Sequence, residues 1–132
     1  IDHWLPVHHW SENDVWIVIA KHTIIPALPY SLGFSRFSCK GCIFGSADHF
    51  ASIKFISPEM IDELADYEQA FGCTIKRSIP IRDLAASGQP FPAVLQNPDL
   101  CRDVMNPDWS GSVTTENWTI PAGAFRSTGG PA

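Results

Sequence analysis

Both ends of one helix can be read from the residues between Ser57 and Gly72, and no other feature limits the fold of this chain as tightly. Ser57 is followed by Pro58 and Glu59. A serine can cap the first turn, a proline at the first helical position gives up no hydrogen bond, and an early acid meets the positive end of the helix dipole. Gly72 supplies the residue that most readily takes the left-handed backbone closing a helix. Met60, Leu64, Tyr67 and Phe71 recur at helical spacing. They predict one stripe facing the core with Ile61 beside it, and leave Asp62, Glu63, Asp66 and Glu68 mostly turned to water.

The same signals recur elsewhere in weaker form. Ser11-Glu12-Asn13-Asp14 reads as a capping box, predicting a helix from Ser11 to Lys21 or His22. Its apolar run, Val15 to Ala20, leaves no clear polar face, which predicts a helix covered on most sides and belonging to the core. A short helix is expected from Ser46 or Asp48 to about Phe55, where the apolar period is ambiguous. Others are expected from Ile79-Pro80 to about Ala86, ending near Gly88, and from Pro98 to about Met105. Pro26 and Pro29 break regular structure, so the stretch to Cys42 reads as loop. Beyond Asn106 the chain is rich in Gly, Ser, Thr and Pro, with Trp109, Trp118 and Phe125 as isolated anchors. The expected fold is therefore mainly α: four to five short helices over residues 1–105, with irregular loops and little or no sheet, and an irregular, extended C-terminal arm over 106–132.

A chain of 132 residues, 45% of them apolar, can bury a modest single core. Its longest unbroken apolar run, Val15 to Ala20, is far below the roughly 20 residues that cross a bilayer. No basic stretch followed by an apolar segment and a small-residue cleavage site opens the chain, so a cytoplasmic setting without membrane attachment is expected. Ile1 in place of Met points to residues upstream. A net charge of −5 with nine Lys plus Arg argues against duplex nucleic acid as a partner, because neutralising phosphates needs clustered cations.

Four cysteines at 39, 42, 73 and 101 are too unevenly spaced for a disulfide scaffold, which brings metal or redox chemistry forward. Cys39-Lys40-Gly41-Cys42 is the strongest chemical feature: two thiols two residues apart can turn toward one centre and supply half the ligands of a zinc or iron–sulfur site. A redox dithiol and two structural cysteines are the other readings of the pair. A closed metal set of Cys39, Cys42, His49 and Cys73 requires the fold to bring them together. His8, His9 and His22 read as surface or core residues, and His49 is the histidine to keep. Arg36, Lys40 and Lys54 are the cations near the cysteines, with Arg36 and Lys40 the candidates for a sulfate or phosphate group.

The pair sits in a longer frame: Pro6, Trp10, Asp14-Val15-Trp16, Pro29-Tyr30, Gly33-Phe34 and Ser38 to Cys42. In order and spacing this resembles the phosphoadenosine phosphosulfate (PAPS) reductase family. Ser57-Pro58-Glu59, Tyr67-Glu68 and Gly72-Cys73-Thr74 resemble its phage and bacterial branch, so that the likeness covers roughly residues 4 to 84. The resemblance implies the C-terminal portion of an α/β domain of the PP-loop type, acting on a sulfated adenine nucleotide, with an iron–sulfur cluster or zinc as the cofactor to look for.

That family's Ser-Gly-Gly-x-Asp-Ser phosphate loop does not occur in these 132 residues, nor do its upstream Cys-Cys pair and its Glu-Cys-Gly nucleophile. The chain alone is therefore expected to be inactive. Two other readings use the same residues: a structural zinc or iron–sulfur interaction module, and part of an ATP-pyrophosphatase in sulfur transfer to nucleic acid. A segment cut from an α/β domain would leave an apolar face, so a homodimer is also expected.

Overall fold

A computed structural model describes residues 4–36 and 40–126. Among them lie seven helices: α1 (Glu12–Lys21), α2 (Leu28–Ser31), α3 (Ala47–Ile56), α4 (Pro58–Phe71), α5 (Ile81–Ser87), α6 (Pro92–Gln96) and α7 (Pro98–Met105). Extended pairing among the described residues amounts to two isolated bridges, Ile24 with Thr114 and Lys76 with Ile79. The chain is mainly helical. The two helices beyond the expected five, α2 and α6, each carry a proline in the first two positions. Proline, read in the sequence as a breaker near Pro29, here starts a short helix, since its fixed φ suits the first turn.

The helix ends follow the local code closely. Ser11 and Asp14 form a full capping box on α1. α4 ends at Gly72 with φ 63°, and the Cys73 N–H reaches back to the Glu68 carbonyl to close the last turn. Ser57, the expected cap of α4, precedes Pro58 but makes no capping bond to the backbone; its hydroxyl donates to the Glu59 carboxylate.

The core is built around α3, which packs against α4, α5 and α6, while α2 and α6 rest on α7. Phe50 and Ser52 are fully enclosed, and His49, Ala51 and Ile53 are buried with them. Leu32, Ile61, Ile81 and Val94 close on the same centre from the loop after α2 and from α4, α5 and α6. Burial of nearly every side of α3 is why its apolar period was ambiguous in the sequence. Ser52, inside this core, accepts the Phe91 N–H at 2.9 Å and donates to the Asp48 carbonyl at 2.7 Å, so its hydroxyl is not left unpaired.

Three expectations about burial are corrected. α1 is not a core helix: Trp16 is its buried residue, packed edge-on against Tyr30 at 5.2 Å, and Ile17 is 55% exposed. Together with Trp4, Val7 and Trp10 it leaves an apolar surface. On α4 the inward stripe is Met60, Ile61, Leu64 and Ala65, whereas Tyr67 and Phe71 stack on each other in solvent, with Phe71 75% exposed. The core ends before the last turns of that 14-residue helix do. Glu68, expected to face water, instead accepts the N–H groups of Ile75 at 2.8 Å and Ile81 at 2.9 Å, which fixes the loop between α4 and α5.

The arm beyond Asn106 is held by its backbone more than by its aromatic anchors. Ile25 donates to Val113 and Thr115 donates to Thr23, each at 2.9 Å. Trp118 donates its indole N–H to the Ile24 carbonyl at 2.8 Å. Gly123 donates to Tyr30 at 2.8 Å, and a Cβ on Gly123 would stand 2.2 Å from the Phe34 carbonyl oxygen, so glycine is what lets the arm approach. The Phe125 N–H reaches the Glu12 carboxylate at 2.8 Å, tying the arm to α1.

Candidate functional site

The turn at 40–45 packs against α3 and α4. A Cβ on Gly41 would meet the Leu64 and Met60 side chains, and Gly45, whose N–H donates to the Cys42 carbonyl at 2.8 Å, lies against His49 and Phe50. Small residues at 41 and 45 thus let the turn sit close on two helices.

His49 locks this turn to α3. Its Nε2 lies 3.0 Å from the Lys40 carbonyl and donates to it, while the ring stands edge-on to Phe34 at 5.1 Å and Phe50 at 5.3 Å. Burial lowers the imidazole below its ordinary value of 6.5; the Lys40 carbonyl opposes that shift and Lys76 adds to it.

The ring is therefore held neutral, and the sign of its linkage to folding follows. The unfolded chain takes up a proton at a higher pH than the folded chain, so the contribution is complete above the ordinary value and declines as pH falls from there toward the depressed one. Denaturant titrations at about pH 7.5 and about pH 5.5 are expected to show a larger loss for wild type than for His49→Gln. Equal slopes would show that His49 is not the residue responsible.

Arg36, Lys40 and His49 are brought together around one cavity of about 230 Å³, floored by Pro29, Phe34, Ile53, Ile56, Val104 and Met105. The Lys40 ammonium rests on the Met105 sulfur at 3.3 Å, a weak acceptor that holds it loosely. The Arg36 guanidinium lies over the Phe44 ring at 5.1 Å. Lys54, the third cation near the cysteines, is exposed and borders a shallow hollow with Phe55 and Ala86 instead.

Cys39 lies outside the described residues. Cys42 is buried in the turn and Cys73 is exposed past the end of α4. Cys73 follows Leu64 by nine residues, about 13 Å along a helix axis, and Leu64 is the residue beneath the turn. Among the described residues no group of three or more His, Cys, Asp and Glu is arranged to hold a metal ion. Cys101 is a core thiol: it donates to the Val94 carbonyl at 3.5 Å, and burial raises its pKa.

A second cavity, of about 260 Å³, shares Arg36 and His49 with the first and includes Arg126. Sequence reasoning did not find Arg126, because its proximity depends on how the arm folds back across about 90 residues. The apolar floor of the first cavity was equally out of reach, since Val104 and Met105 come from α7.

No protein-family model matches the chain. No solved structure matches it. Among curated proteins it is 31% identical over 72 residues to an uncharacterized 37.8 kDa protein in gpa 5'region of Escherichia phage 186; the match spans 54% of this chain and 22% of that protein. No helix among the described residues is long and apolar enough to cross a membrane.

Proposed function

We propose that this chain is the C-terminal part of a PAPS reductase-like protein that acts on a sulfated adenine nucleotide, with the cavity beside the turn at 40–45 closing over part of that ligand. The observation that carries the reading is the convergence of Arg36 and Lys40 on one apolar-floored cavity next to that turn. Aliphatic side chains such as Ile53, Ile56 and Val104 suit the face of a base or ribose, and the two cations suit an anionic ester.

Size supports a partial site: about 230 Å³ is below the range of about 300–1,000 Å³ that encloses a whole small ligand. The remainder of the nucleotide, and its phosphate loop, belong in this reading to a further α/β portion of a longer protein. The chain itself contributes binding and orientation, His49 holding the turn while Arg36 and Lys40 face the anion. A cluster or zinc on Cys39 and Cys42 is proposed on the resemblance alone. Elemental analysis of anaerobically purified protein tests it, with metal lost in Cys42→Ser as the supporting result and metal-free folded protein as the opposing one.

Titration calorimetry with adenosine 3',5'-bisphosphate on the 132-residue chain is expected to show weak saturable binding. Arg36→Ala and Lys40→Ala should each weaken it by about tenfold or more, the usual consequence of losing a charge-assisted hydrogen bond. Binding unchanged in both variants, or no binding by folded wild type, would sink the nucleotide reading.

A further inference from the structure

We infer that the outer face of α4 docks a basic, arginine-bearing segment of another protein, with guanidinium groups set against the Tyr67 and Phe71 rings and beside Glu63. This surface is separate from the cavity of the nucleotide reading, whose lining includes no residue of α4. Glu63, Tyr67 and Phe71 follow one another at intervals of four, which puts them in one row along the helix. The inward side of the same helix is taken by Met60, Ile61, Leu64 and Ala65.

The aromatic pair is the first argument. Tyr67 is 50% exposed and Phe71 75%, and their rings stack with centroids 6.3 Å apart and 24° between the planes. The Tyr67 hydroxyl donates to the Glu63 carboxylate at 3.3 Å, which ties ring and acid into one surface. Large rings left in water gain when a guanidinium covers them, because the ring face is electron-rich and arginine is weakly hydrated. Among the described residues no cation of the chain lies over either ring; the contact of that kind is Arg36 on Phe44.

Charge selects the partner. α4 carries five acids and neither Lys nor Arg, and the rings stand near its C-terminal end, the negative end of the helix dipole. Glu59 is engaged by the Ser57 hydroxyl and Glu68 by two backbone N–H groups, which leaves Asp62, Glu63 and Asp66 on the exposed side. Arg82 of α5 meets Asp62 at 2.9 Å and Asp66 at 4.0 Å, and Glu63 has no cationic partner among the described residues. In the loop that follows, Lys76 bears on His49, and neither it nor Arg77 forms an ion pair with α4. A face of this charge repels the phosphates of nucleic acid and anionic lipid, and a second copy of the chain, at net −5, is a like-charged partner. A cationic segment is the complement.

The test is NMR titration of the 132-residue chain with a hexa-arginine peptide in about 0.15 M sodium chloride, where weak surface electrostatics are screened. Saturable shifts centred on Glu63, Tyr67 and Phe71, with a Kd of about 1 mM or tighter, are expected. Replacing both rings, Tyr67→Ser with Phe71→Ser, should weaken binding about tenfold with an unchanged circular dichroism spectrum, and Glu63→Gln about threefold. Glu116→Gln, at an exposed acid on the arm, should leave binding intact. Glu63→Gln, which keeps both rings, decides the matter if the double variant loses helical structure. Shifts spread over acids across the whole surface, or equal losses in Glu116→Gln and Glu63→Gln, would overturn the inference, since charge alone would then explain binding. Concentration-dependent shifts at Tyr67 and Phe71 without peptide would assign the face to a second copy and overturn it as well.

Discussion

Gly88→Ala is expected to destabilise the protein by about 3 kcal/mol, the upper part of the usual range for forcing extra volume into a packed site. Gly88 is buried just after α5, and a Cβ there would stand 2.2 Å from both the carbonyl carbon and the carbonyl oxygen of Ala47, with the Asp48 N at 2.6 Å. Those atoms are backbone at the start of α3, so no side-chain rotation relieves the clash. The loop must lift or the helix must shift. Either movement also strains the Gln89 N–H bond to Asp48 and opens the packing between α3 and α5. Gly72→Ala provides the contrast: it has φ 63° and nothing within 4 Å of its Cβ, so only backbone strain is added, at a cost of about 1 kcal/mol. Urea denaturation of both variants decides the matter, and a cost for Gly88→Ala no greater than for Gly72→Ala would contradict the close approach of loop and helix.

Phe50→Ala is expected to cost about 4 kcal/mol, as large aromatic truncations in a core usually do. Phe50 is completely enclosed on the central helix, so the substitution removes buried area and leaves a cavity that surrounding helices can only partly fill. Against a total stability of about 5–15 kcal/mol for an ordinary domain, that loss brings the fold close to its limit. The ring also stands against His49, the residue that grips the Lys40 carbonyl, so the damage should reach the candidate site. Phe50→Leu, which keeps most of the volume, should retain more than half of the lost stability. A cost below about 1 kcal/mol for the alanine variant would mean that α3 is not the centre of the molecule.

The candidate site was legible in part. Arg36 and Lys40 were picked out as anion-binding candidates and His49 as a metal ligand; the three border one cavity, with His49 hydrogen-bonded to the Lys40 carbonyl. Their chemistry as hydrogen-bonding groups was not legible: nothing in the sequence says that His49 Nε2 faces the Lys40 carbonyl, or that the Lys40 ammonium reaches the Met105 sulfur across 65 residues. Arg126 lay beyond any spacing argument, because its place depends on Gly123 and Phe125 meeting Tyr30 and Glu12.

The residues alone located the ends of α1 and α4. Ser11 with Asp14, Pro58 and Gly72 act on backbone groups within one turn of themselves, so their effect needs no knowledge of the rest of the chain. Which helix becomes the core was decided only in three dimensions. The unbroken apolar run of α1 predicted a core helix, yet α3 is enclosed and α1 lies at the edge, because burial depends on what distant elements bring to a face. The same reason puts Glu68 on two backbone N–H groups and Tyr67 and Phe71 in solvent, on one helix whose ends were read correctly from the start.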